Sequence, residues 1–493
     1  MTVDNVDKDK AITKAKKSMM SKGENFRTTT KQGDEKFEMK ASTSRKEEQV
    51  RLDSDRSESD DNNLDVIQPS GFETKNTIPT TLLPKLIQLA AERQAAGLPV
   101  FNFAVGNPSL EPPREILTSL SKLSAATLKG QSSGMFKYTP PAGIFGLRKF
   151  IANDIKDWQG LPNLTENQIV VTPGAQSAIV NIFEAILQPG DHVFTQTPFY
   201  PSYGLSAKLW GAESKSINFE KGDSNFNIDM SHLQRLALDS GNKLRLIALC
   251  SPGNPTGKSM VEETLKNICS LAESHSKRFG RDVWILMDNT YRRLKFDKSI
   301  ETPIFSFYKQ SLVVSSFSKD LSLAGERVGY VAVHPNARNS DSLVRWITNN
   351  NDRLGNLSPP SLIQHALLDV YETHGKLPSL VDIYEERVTS MFVELNRIGL
   401  ICTKPDGAFY LLPRMPAKLG TDDVKFAMLL ADKGVLCVPG SLFGAAGCVR
   451  IAALPSLEEI QEACKIIEQV VKAGFSEEDS SDLQEMRGIF ELN

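Results

Sequence analysis

Five short apolar runs, each closing on a turn, fix what the middle of this chain can become: NQIVVTPG (167–174), DHVFTQTP (191–198), KLRLIALCSP (243–252), VWILMDNT (283–290) and SLVVSSFS (311–318). They are too short for buried helices and rich in Val, Ile and Leu, so they read as strands. A sixth run, VGYVAVHP (328–335), follows them. Between several of the runs lie segments with apolar residues at helical spacing, such as AQSAIVNIFEAILQ (175–188) and VEETLKNICSLAESHSK (261–277). Strands alternating with helices predict an α/β fold whose mostly parallel sheet is covered by helices on both faces.

After about Ser340 the pattern changes. Long amphipathic helices, SLIQHALLDVYETH, VDIYEERVTSMFVELNRI, VKFAMLLADKG and LEEIQEACKIIEQVVKAG, are mixed with the short strands FYLLP and CVRIAAL. This predicts a smaller α+β domain. The expected organisation is a tail over 1–68, an N-terminal part of the small domain over 79–125, the large domain over 126–340, the rest of the small domain over 341–474, and a second tail over 475–493. Residues 1–68 mix charges of both signs with very few aromatics, so they cannot bury enough apolar area to offset the entropy of ordering and are expected to be disordered. The opening AITKAKKSMMSK has the basic character of an organelle-targeting peptide, but aspartates at 4, 7 and 9 argue against one.

Composition removes several classes of partner. With 57 basic and 60 acidic residues and a net charge of -3, the chain has no global attraction for nucleic acid or an anionic membrane. No run approaches the roughly 20 apolar residues of a spanning helix. Six scattered cysteines without a CxxC pair indicate neither a metal site nor a disulfide framework, and they fit a reducing, cytoplasmic setting.

Ligands of open α/β sheets bind at the carboxyl ends of the strands, so those ends hold the candidate residues. The turn at Gly174, Ala175 and Gln176 opens a helix and makes a seat for phosphate. TPFYPSY offers aromatics, Phe199, Tyr200 and Tyr203, that could stack on a planar ring or pack in the core. SPGNPTG holds Asn254 between Gly253 and Pro255, and MDNTYRRL ends a buried strand on Asp288, three residues before Tyr291. A carboxylate so placed asks for a protonated nitrogen. SSFSKDLSLAGERVG brings Ser316, Ser318, Lys319 and Arg327 together. Lys319 could form an imine, the serines and Arg327 could hold a phosphate, Asp288 could meet a pyridinium, and Asn254 with Tyr291 could hold a phenolate. Those are the demands of pyridoxal phosphate.

These segments, with FAVGNPSLEPP, YTPPAGIFGLRKFIA, VVTPGAQSAI, GAFYLLP and VLCVPGSLFG followed by GCVRI, come in the order and spacing of a known family. From about Pro79 to Ala473 the chain resembles the fold-type I pyridoxal-phosphate enzymes, and within them the class I/II aminotransferases. The resemblance implies that Lys319 holds the cofactor as an internal aldimine, Asp288 pairs with its ring nitrogen, Asn254 and Tyr291 bind its ring oxygen, and Tyr200 stacks on its face. It places the phosphate on Gly174, Ala175 and Gln176, with Ser316, Ser318 and Arg327 around it. Tyr138 resembles a tyrosine that reaches the phosphate from the neighbouring subunit, which implies a homodimer. Arg450 matches the arginine that grips the substrate α-carboxylate, and Gly106 matches a backbone contact to the same group.

The implied reaction is ping-pong transfer of an amino group between an L-amino acid and a 2-oxo acid. One subgroup of bacterial aspartate aminotransferases carries a lysine at the position of Gln176, and its absence here argues against a dicarboxylate specialist. Alanine-type, aromatic and broad-range donors stay open. C-S lyases and aminocyclopropane carboxylate synthases share the scaffold and form an alternative. A regulator with an N-terminal DNA-binding domain is a remote one, because the tail lacks the apolar periodicity of a helix-turn-helix core.

Overall fold

The computed structural model describes residues 82–475 except 132–133, 221, 224 and 298–300, all within one compact unit, Asn76–Asn493. The tail expected over 1–68 lies outside the described residues, as does the one over 475–493 apart from Phe475. Phe475 packs against a core cluster, with the Lys425 ammonium 4.8 Å from its ring centre.

The strands in chain order are β1 (Phe101–Asn102), β2 (Ile169–Thr172), β3 (His192–Gln196), β4 (Glu213–Ile217), β5 (Leu244–Cys250), β6 (Trp284–Asp288), β7 (Ser311–Ser316), β8 (Gly329–Val333), β9 (Tyr410–Leu411), β10 (Val435–Leu436), β11 (Val438–Pro439) and β12 (Val449–Ala452). The helices are α1 (Leu82–Ala95), α2 (Arg114–Leu128), α3 (Phe145–Gln159), α4 (Gly174–Ile186), α5 (Ser202–Leu209), α6 (Met230–Ser240), α7 (Glu262–Phe279), α8 (Ser340–Arg353), α9 (Ser361–His374), α10 (Val381–Ile398), α11 (Asp423–Asp432) and α12 (Leu457–Ala473).

Seven strands form the central sheet in the order β2-β8-β7-β6-β5-β3-β4. Only β8 runs against its neighbours. The alternating residues of the central strands feed two cores, as the period of two requires. Ile285 and Met287 of β6 join α3, α7 and α9 on one face, while Trp284 and Leu286 join α4 and α8 on the other. Every residue of β6, β7 and β8 is buried. At roughly 25 cal/mol per Å² of apolar surface removed from water, this double burial is the main force closing the fold.

A third core gathers α10, α11 and α12 around β9 and β12, and Tyr291 and Leu294 from the end of the central sheet enter it. The helix α12 starts cleanly because Ser456 and Glu459 form a reciprocal capping box. β12 pairs with β9 and β11, so the GCVRI segment is held against GAFYLLP.

Candidate active site

Strand register gathers the candidate residues at one rim. Cys250 pairs with Asp288, Asp288 with Val314, Ser316 with Gly329, and Gly329 with Thr172. The parallel strands therefore end together, and the reversed β8 begins where they end. Asn254, Asp288, Tyr291, Ser316, Lys319, Arg327 and Gly174 all lie at or just past this rim.

Asp288 is 6% exposed. Its Oδ1 accepts hydrogen bonds from the Thr290 amide at 3.1 Å and hydroxyl at 2.6 Å, and its Oδ2 accepts one from the Tyr203 hydroxyl at 2.7 Å. Burial raises its pKa above the usual carboxylate range, and the bonds from Thr290 and Tyr203 pull it back. All three donors are neutral, and among the described residues no cation is paired with this carboxylate. A buried acid so arranged fits a ligand that brings its own protonated nitrogen.

Lys319 sits opposite in function. Its Nζ donates to the Gly106 carbonyl at 2.6 Å. Burial, reinforced by the charges of Arg450 and Arg327, brings its ammonium down to about 8. The amine thus titrates within about one unit of neutral pH, so its uncharged form, the one a nucleophile or base needs, is far more accessible than in an ordinary lysine.

Gly106 leaves no room for a side chain: a Cβ there would lie 2.0 Å from the Tyr410 hydroxyl. The Tyr291 hydroxyl donates to that of Tyr410 at 3.1 Å. Arg450, 8% exposed, lies with its guanidinium carbon 4.8 Å from the Tyr410 ring centre and 4.8 Å from that of Phe443. Its Nη1 donates to Asn254 Oδ1 at 3.3 Å, its Nη2 donates to the Ala104 carbonyl, and its Nε is buried without a partner. No acidic side chain among the described residues pairs with it. A buried guanidinium flanked by two aromatic faces and lacking a counter-ion fits a carboxylate ligand.

A second anion seat lies at the start of α4, where no side chain caps the helix and the first turn has no acidic residue. The amides of the first turn and the helix dipole favour negative charge there. Gly174 holds φ at +83°, and a Cβ on it would meet the Arg327 Nη2 at 2.5 Å, so the guanidinium rests against the turn. Arg327 donates to the carbonyls of Ala324 at 2.8 Å and Pro173 at 3.3 Å. Ser316 and Ser318 are buried and joined, the Ser318 amide donating to Ser316 Oγ at 3.4 Å. The Gln176 amide nitrogen donates to Ser206 at 3.3 Å. An anion at this seat, a protonated nitrogen at Asp288 and a carbonyl carbon within reach of Lys319 are the three features of pyridoxal phosphate, so the residues present fit that group.

Tyr200 is half-buried, its ring 5.7 Å from that of Tyr203 at 87°. Tyr138 is 82% exposed in the single chain. Two residues at the centre of the geometry were not assigned from the sequence. Tyr203 is one of three aromatics of TPFYPSY, and Tyr410 lies within GAFYLLP. The available signal was slight: each follows a strand or lies in one, but its partner is 85 or 119 positions away.

Known proteins are similar to the chain over most of its length. Residues 99–467 match the family described as aminotransferase class I and II. The aspartate aminotransferase of Bacillus subtilis is 29% identical over 395 residues, 78% of this chain and 94% of that one. A probable N-acetyl-LL-diaminopimelate aminotransferase of the same organism is 30% identical over 378 residues, 76% of this chain and 89% of that one. Among solved structures, an amino transferase from Eubacterium rectale aligns with a TM-score of 0.74 at 26% identity, covering 83% of this chain and all of that one. The aspartate aminotransferase of Thermotoga maritima aligns with a TM-score of 0.69 at 27% identity, covering 80% and 97%.

Proposed function

Since the chain belongs to the class I and II aminotransferases and is a fold-type I, pyridoxal-phosphate-dependent transaminase, we propose that one site, built on Lys319, Asp288 and Arg450, serves both amino donor and oxo-acid acceptor in turn. The observation that carries this reading is Arg450: a guanidinium buried between Tyr410 and Phe443 with an unpartnered Nε and, among the described residues, no counter-ion. Both L-amino acids and 2-oxo acids present a carboxylate next to the reacting carbon. A planar two-pronged contact binds either and fixes that carbon against the Lys319 amine, which converts orientation into rate. One carboxylate grip used alternately gives ping-pong kinetics.

The bound cofactor supplies an electron-withdrawing ring that accepts the charge left when the α-proton is removed. The chain supplies the rest. Asp288 keeps a proton on the ring nitrogen, Asn254 and Tyr291 bind the ring oxygen, and Tyr200 covers a ring face. Gly174, Ala175, Gln176, Ser316, Ser318 and Arg327 bind the phosphate. Lys319 Nζ, its pKa lowered toward neutral pH, would take the proton from the α-carbon and return it to the cofactor carbon that had carried the aldehyde, as general base and then general acid. Gly106 holds the amine in place through its carbonyl.

Tyr138 supports assembly as a homodimer. It is 82% exposed, and Phe136 and Phe145 near it are 65% and 58% exposed. A partner copy covering this patch would bring its own tyrosine to the phosphate seat. We read the central sheet with its two cores as the large domain and the third core as the small one. The six cysteines are free, which supports a cytoplasmic setting.

The relatives named as aspartate aminotransferases favour an acidic donor, whereas Gln176 in place of lysine favours a neutral one. A panel of amino donors against pyruvate and 2-oxoglutarate decides. The expected result is turnover only with an oxo acid present, parallel double-reciprocal lines, and none with Lys319→Ala. Release of ammonia or a thiol without an oxo acid would mean a lyase.

A further inference from the structure

Each oxygen of Asp288 is supported differently. Oδ1 takes two bonds from Thr290, a residue two positions along the same chain, and these form whenever the local turn forms. Oδ2 takes a single bond, from Tyr203, which stands in the first turn of α5 and comes from beyond β3. Tyr203 is 2% exposed. The Cys250 thiol lies beside its hydroxyl, and burial raises the phenol well above its ordinary value, so the hydroxyl keeps its proton and donates. The Tyr200 ring meets its ring edge-on.

We infer that Tyr203 is a positioning residue that keeps Asp288 ionised and aimed, and so holds the proton on the cofactor's ring nitrogen. This rests on the reading of Asp288 given above. A proton between a carboxylate and a ring nitrogen in a buried site has two resting places, and the balance follows the difference in their affinities. Hydrogen bonds donated to the carboxylate stabilise its charged form and send the proton to the nitrogen. Desolvation acts in the opposite sense. Thr290 alone leaves Oδ2 without a donor, and an unpaired carboxylate oxygen in a dry site is the natural place for the proton to go. Tyr203 closes that place. It also fixes the carboxylate plane, since Thr290 grips one oxygen only and leaves rotation about that contact.

The test reads the nitrogen itself. Wild-type enzyme and Tyr203→Phe are reconstituted with pyridoxal phosphate carrying ¹⁵N in the ring, and the ring-nitrogen chemical shift is measured at pH 8 alongside the cofactor dissociation constant. Phe keeps the ring against Tyr200, and circular dichroism checks that the fold is retained. The expected result is a wild-type nitrogen in the protonated range, a variant nitrogen displaced toward the unprotonated range, and cofactor binding weakened about tenfold, the worth of one hydrogen bond to a charged group. A wild-type nitrogen in the unprotonated range overturns the Asp288 reading and this inference with it. A protonated wild type with an unchanged shift in the variant overturns the role of Tyr203 alone. A folded variant that binds no cofactor at all also overturns it, because one hydrogen bond cannot account for that loss.

Discussion

Replacing Lys319 by methionine should make the cofactor-free protein more stable. The amine is buried, and its pKa falls from an ordinary 10.5 to about 8. A drop of that size corresponds to about 3 kcal/mol by which the protonated lysine opposes folding. The sign follows from proton counting. Between about pH 8 and 10.5 the unfolded chain binds this proton and the native one does not, so native stability rises with pH across that window and the full penalty applies below it. Methionine has similar length and no charge, but it forfeits the 2.6 Å bond to the Gly106 carbonyl, a loss of about 1 kcal/mol. The net expectation is a gain of about 2 kcal/mol at pH 7, turning into a small loss above about pH 10.5. Urea unfolding of the two cofactor-free proteins at pH 7 and pH 10.5 measures both ends. A variant no more stable than wild type at pH 7 would refute the claim that carrying a proton on this buried amine is costly to the fold.

Three further substitutions probe the remaining contacts. Gly174→Ala puts a Cβ 2.5 Å from the Arg327 Nη2 at a φ of +83°, so it should cost about 1–2 kcal/mol of stability by unfolding titration, and weaken the cofactor about tenfold or more in an absorbance titration. Gly106→Ala drives a Cβ to 2.0 Å from the Tyr410 hydroxyl and should lower kcat/KM about a hundredfold, or about 3 kcal/mol, by displacing Tyr410 from Tyr291 and Arg450. Arg450→Lys keeps the charge but loses the planar fork. It should raise KM for every amino donor about a hundredfold while the cofactor dissociation constant stays unchanged, and equal losses in both would mean that the residue is misassigned.

What could be read from the sequence was what neighbouring residues decide among themselves. Asp288 and Lys319 were visible because each follows a run that is apolar enough to be a buried strand, and the strands lie where those runs are. β4 was not visible. Its sequence, ESKSI, has one buried residue, and its order comes from backbone pairing with β3 at the sheet edge. The reversal of β8 was equally hidden, since an apolar run reads the same in both directions. Tyr203 and Tyr410 acquire their roles only through partners brought close by the whole fold. Composition and spacing carry no distance between position 203 and position 288.

Because β8 runs backwards, the chain leaves the sheet at Ser316 and re-enters it at Gly329, two residues that face each other in the ladder. The stretch from 317 to 328 is therefore a closed staple carrying an amine near one end and a guanidinium near the other. The gauge between them is set by backbone register, which slips only in whole residue steps. An engineer wishing to seat a longer or shorter ligand here would have to re-cut the staple itself, because trimming side chains leaves its two legs where they are.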